Sequence, residues 1–131
     1  MLSPGESEQL VTLIESNRAT PFISPEMYLA CHHLPNWYPV ISEFTPETKV
    51  LPLNSDFVGE LKGLGWEQLF IKGYVKSLKT SRGSVISKPE DISTVPSEMQ
   101  EFRGVIEGGV CVRRFEQFVP GSETRYFVIR S

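Results

Sequence analysis

The chain has 131 residues, 40% of them hydrophobic and 22% charged, with a formal net charge of −3 at pH 7. Such a length and composition fit one globular domain with a sizeable core, and the acidic balance excludes a surface that is basic throughout, as a nucleic-acid footprint would be. The first twenty residues carry Glu6, Glu8 and Glu15 without an apolar signal core, and no apolar run nears the roughly 18 residues of a membrane span.

A soluble, cytoplasmic protein is therefore expected. Cys31 and Cys111 fit that compartment: they lie far apart, outside any CxxC spacing, and read as free thiols.

Ser3-Pro4-Gly5-Glu6 predicts a helix start, with serine as cap and proline in the first turn. Leu10, Leu13 and Ile14 fall on one face, and the helix is expected to end near Asn17. Ser24-Pro25-Glu26 repeats the start signal. Met27, Leu29, Ala30 and Leu34 continue that helix, and Pro35 is expected to end it. Asn36 to Ile41 suits a short helix or a tight connection. Thr45-Pro46-Glu47-Thr48 reads as a turn before a short strand at Lys49-Val50-Leu51. Ser55 and Asp56 cap a helix carrying Phe57, Val58, Leu61 and Leu64, which Gly63-Leu64-Gly65 closes.

Leu69 to Tyr74 is apolar enough for a buried strand, and Val85-Ile86-Ser87 for a second. Lys79 to Ser84 then becomes a polar hairpin loop. Pro89-Glu90-Asp91 opens a helical stretch, which Pro96 interrupts to begin another with Met99, Phe102 and Val105 inward. Gly108-Gly109 turns into a strand from Val110 to Phe115, and Pro120-Gly121 into a final strand from Glu123 to Arg130. The expected class is α+β in a single domain. Residues 1–66 form its mainly helical part, and 67–131 a sheet-rich part whose mixed or antiparallel sheet has flanking helices.

The chemistry concentrates in the second half. Lys72, Lys76, Lys79, Arg82 and Lys88 stand in one stretch without an acid, an excess that attracts phosphate although the chain is acidic. Lysines on a strand and its loop can converge on a triphosphate as point charges. Lys72 sits inside an apolar strand, so it either meets an anion there or reaches the surface along its aliphatic stem. Arg113 to Phe118 alternates charges with aromatics, and a bend there offers backbone groups and rings to a base. Glu123 and Arg125, two apart, suit a ribose and a phosphate or carboxylate, or else a plain cross-strand ion pair. His32-His33 lacks the further ligands of a metal shell, and no Walker loop or GxSxG motif is present.

These segments resemble the ATP-grasp superfamily over about residues 20–130. Ile71-Lys72-Gly73-Tyr74-Val75-Lys76-Ser77 is similar to the VKDYVKS signature of one bacterial and phage branch. Pro25-Glu26-Met27-Tyr28, Cys31-His32-His33-Leu34-Pro35 and the Thr45 to Thr48 turn are similar to that branch as well. The resemblance implies ATP as cofactor. It places Lys72, assisted by Lys76 or Lys79, on the phosphates, and Arg113 to Phe118 (with Phe115 and Glu116) at the adenine hinge. Glu123 of Gly121-Ser122-Glu123 falls on the ribose, and Arg125 on a phosphate or acceptor carboxylate. It further implies kinship with ATP-dependent carboxylate–amine ligases, whose magnesium ligands follow the G-x-E strand. The chain is thus expected to be an ATP-grasp-like partial domain, not catalytically complete alone, with catalytic residues unassigned. Its partner would be a second copy or a missing C-terminal half. The alternative expectation is a non-enzymatic interaction module that uses an exposed strand edge at 123–130. Nucleic acid is disfavoured, because few aromatics interleave the cations of 72–88.

Overall fold

The computed structural model describes residues 2–75, 84–86, 88–103, 106, 108–124 and 126. Helix α1 spans Pro4–Ser16, and its entry is a capping box: Ser3 Oγ accepts from the Glu6 amide, while Glu6 accepts from the Ser3 amide at 2.7 Å. The helix ends at Asn17 as expected. The face it turns inward differs. Ser7 is buried and Val11 and Ile14 are half-buried, while Leu10 and Leu13 are 45% and 60% exposed. Both stripes satisfy a helical period and share Ile14, so spacing alone does not choose between them.

Helix α2 covers Pro25–His32 with Ser24 as its cap, and helix α3 covers Leu34–Ile41. His33, in extended conformation, separates them. Pro35 thus stands in the first turn of α3 instead of ending α2, a position where its missing N–H costs nothing. A single 3-10 turn, Ser42–Phe44, continues the chain into strand β1, Thr48–Pro52. Helix α4, Phe57–Lys62, is capped by Asp56, which accepts from the Gly59 amide at 3.1 Å. Strand β2 (Leu69–Gly73) and strand β3 (Val85–Ile86) follow, then a 3-10 segment, Pro89–Thr94, that leads into helix α5, Val95–Arg103. Strand β4 is Gly109–Arg114.

The sheet order is β1-β4-β2-β3, and every pairing is antiparallel. The fold is α+β. Among the described residues its latest strand in sequence is a central one, paired through Leu51↔Val110 on one side and Ile71↔Val112 on the other. One sheet face carries Leu51, Leu69, Ile71, Ile86, Val110 and Val112 into the core, against Phe57, Leu61, Trp66, Ile92, Val95 and Met99. Each such side chain, fully buried, contributes roughly 1.5–3 kcal/mol. Met99 is inward as expected, while the Phe102 side chain and Val105 lie outside what is described.

The opposite face is roofed by α3. The buried Leu34 donates its amide to the Tyr74 carbonyl at 2.9 Å, and the Tyr38 hydroxyl accepts from the Thr48 amide at 3.0 Å. The entry to β4 is tight. Gly108 has φ +74 with the Tyr74 ring against its Cα, and a Cβ on Gly109 would strike the Leu51 carbonyl of β1.

The strand expected at 123–130 is corrected where it can be seen. After the turn at Pro120-Gly121, Glu123, Thr124 and Tyr126 belong to no strand, and the other residues from 125 to 130 lie outside those described. Among the described residues no helix is long and apolar enough to cross a membrane.

Gly109→Ala is expected to lower stability by about 1–3 kcal/mol, because the obstacle is backbone and has no rotamer to yield. Gly5→Ala, with open space around its Cα in α1, is expected to raise it by up to about 1 kcal/mol. Urea midpoints of the two variants would check both signs.

Candidate functional site

Strand alternation builds the site. In β2, Leu69 and Ile71 face the core, so Phe70 and Lys72 face the α3 side. In β4, Val110 and Val112 face the core, so Cys111 and Arg113 take the α3 side as well. The register sets Phe70 opposite Arg113 and Lys72 opposite Cys111. Lys72 and Arg113 are therefore diagonal neighbours on one roofed face.

Among the described residues their partners are neutral, or there are none. Arg113 donates Nε to Thr48 Oγ1 at 3.1 Å and Nη2 to Thr45 Oγ1, and its guanidinium lies 6.0 Å from the centre of the Trp37 ring. Lys72 is half-buried, and among the described residues its ammonium has no hydrogen bond or ion pair. Burial, and then the charge of Arg113, hold the Lys72 pKa below its ordinary value. Burial lowers that of Arg113 too. Between them Cys111 is fully buried, and desolvation pushes its thiol up to about 11 against the pull of both cations. A thiol so placed stays protonated at neutral pH and is no nucleophile. Two partly desolvated cations, with no carboxylate bonded to either among the described residues, make this face electropositive.

Beyond Arg114 the chain leaves the sheet, with the Phe115 amide donating to the Gln68 carbonyl at 3.0 Å. A pocket of about 270 Å³ opens there. Phe70, Phe115, Phe118 and Pro46 give it apolar walls, and Arg113, Arg114 and Glu116 complete the lining. Two of those charges neutralise each other: Arg114 contacts Glu116 at 2.7 Å, with Glu47 at 3.8 Å.

Of the residues expected from sequence, Arg113, Phe115 and Glu116 come together around this pocket, and Lys72 adjoins it through Arg113. Glu123 does not join them. It is exposed, past the turn at Gly121, and is not among the lining residues. Lys76, Lys79 and Arg125 lie outside the described residues. His32 is exposed with its ring against Tyr28, while His33 is buried beside Tyr74. Among the described residues no three His, Cys, Asp or Glu side chains gather as a metal shell would.

Phe70 was discoverable from sequence, since period-two alternation puts it on the Lys72 face. Trp37, Thr45 and Thr48 were not: the two threonines reach Arg113 across 68 and 65 residues.

Two measurements follow. A thiol reagent at neutral pH should titrate the exposed Cys31 alone, and Cys111 only once the chain is unfolded. Because folding lowers the Lys72 pKa, the unfolded chain holds that proton more tightly, and the charge opposes folding at neutral pH. The penalty fades as pH rises toward the ordinary lysine value of 10.5. Lys72→Met should therefore stabilise the fold at pH 7 and less so near pH 10, read as the difference in urea midpoints from the parent chain.

Compared with family models, curated proteins and solved structures, the chain gives no significant match to any.

Proposed function

We propose that this is an ATP-grasp-like nucleotide-binding domain related to ATP-dependent carboxylate–amine ligases. The Phe70–Phe115–Phe118 pocket takes the base, and Lys72 with Arg113 takes the phosphates. One observation carries the reading: a half-buried lysine, without an anionic partner among the described residues, stands diagonal to a second cation beside an aromatic pocket. A desolvated ammonium is costly, and an anion that reaches it recovers that cost as charge-assisted hydrogen bonds.

The size of the pocket supports a base in particular. At about 270 Å³ it lies just under the range of roughly 300–1,000 Å³ for small-molecule sites, enough for one heterocycle and too little for a whole nucleotide. Aromatic faces stack on a base with about 1–3 kcal/mol each. The phosphates then lie outside, over the Arg113–Lys72 diagonal. The chain order also suits the resemblance, with a lysine strand (β2), its antiparallel partner (β3), a helix (α5) and a strand (β4) leading into the hinge. The ribose role of Glu123 gains no support from its exposed position. The proposal is one of binding, and no described side chain is assigned a step of ligase chemistry.

Calorimetric titration with ATP and with adenosine tests it. ATP should bind, and Lys72→Ala should weaken it by roughly tenfold or more while leaving adenosine nearly unchanged. Phe115→Ala should weaken both. ATP affinity that is absent, or indifferent to Lys72→Ala, would remove the proposal.

A further inference from the structure

Helix α3 and the turn after it carry a second surface that the nucleotide reading does not use. Val40 and Ile41 follow Trp37 at spacings of three and four on α3, and Phe44 ends the 3-10 turn Ser42–Phe44 that comes directly after them. They are 81%, 41% and 87% exposed. A single exposed apolar side chain is ordinary, but three large ones within five residues form a stripe that a folded chain normally covers. Trp37, half-buried under Arg113, is the inner end of that stripe.

Charge identifies what covers it. Residues 2–47, which hold helices α1 to α3, carry six glutamates against one arginine, −5 on a chain whose total is only −3. All seven are exposed, and Glu43 stands between Ile41 and Phe44. A basic partner is attracted by this field, and an anionic lipid surface or a nucleic acid is repelled. A two-fold pairing of the stripe with itself would bring the same acidic layer of both copies together, so charge also opposes a second copy.

We propose that the Trp37–Val40–Ile41–Phe44 stripe docks a basic amphipathic segment of a partner protein, apolar along one face and lysine- or arginine-rich beside it. The leucine-like side chains of that segment cover the stripe, and its cations answer Glu43 and the net negative charge of residues 2–47. The inference stands whether or not the pocket binds nucleotide.

The test uses two labelled synthetic helical peptides of identical leucine pattern, one otherwise lysine and the other otherwise glutamate. Fluorescence anisotropy with the full chain should show the lysine peptide binding at least about tenfold more tightly than the glutamate one. The double variant Val40→Ser, Phe44→Ser should weaken the lysine peptide by roughly tenfold or more, with an unchanged circular dichroism spectrum. Equal binding of the two peptides, binding of neither, or indifference to the double variant would overturn the proposal. A dimer seen by sedimentation in the parent chain and lost in the variant would overturn it too, by giving the stripe to a second copy.

Discussion

Everything in this fold depends on β4 being covered on both faces. It is a central strand, with β1 on one side and β2 on the other, and Val110, Cys111 and Val112 are each at most 1% exposed. The core layer of α4, the 3-10 segment and α5 accounts for the two valines. Cys111 points the other way, so its burial requires the roof that α3 supplies through Leu34 and Tyr38. That roof creates the electropositive face. Lys72 and Arg113 flank Cys111 on the same side of the sheet, and the cover that hides the thiol also desolvates the two cations.

Local signals were legible in the sequence where the physics is local. Ser3, Ser24 and Asp56 each cap a helix by accepting an amide three residues ahead, a geometry settled within four residues. The apolar run at Leu69 and the Gly108-Gly109 turn likewise announce β2 and β4. Strand order was not legible. That β4 separates β1 from β2 is a choice among pairings far apart in sequence, decided by total burial and not by any one segment. Pro35 shows the same limit on a small scale, since the residue that disfavours continuing one helix suits the opening turn of the next.

The site was half legible for the same reason. A lysine within an apolar strand, and a charged and aromatic segment ending another, mark Lys72 and Arg113 to Phe118 from sequence alone. Their convergence needs the register Phe70↔Arg113, which only the assembled sheet provides. Glu123 lacks that anchor. Without a strand to carry it, nothing in the described ladder brings it toward the pocket.

Lys72 and Arg113 are not equivalent cations. Arg113 already donates to two threonine hydroxyls and lies over Trp37, so its guanidinium is oriented before any ligand arrives. Lys72 has the same field and a similar burial without a described partner for any of its three donors. An anion on this face thus gains most of its new hydrogen bonds from Lys72, while Arg113 contributes a fixed charge already positioned. The thiol between them adds nothing to offset this: held protonated by burial, Cys111 offers neither cation a counter-charge at neutral pH.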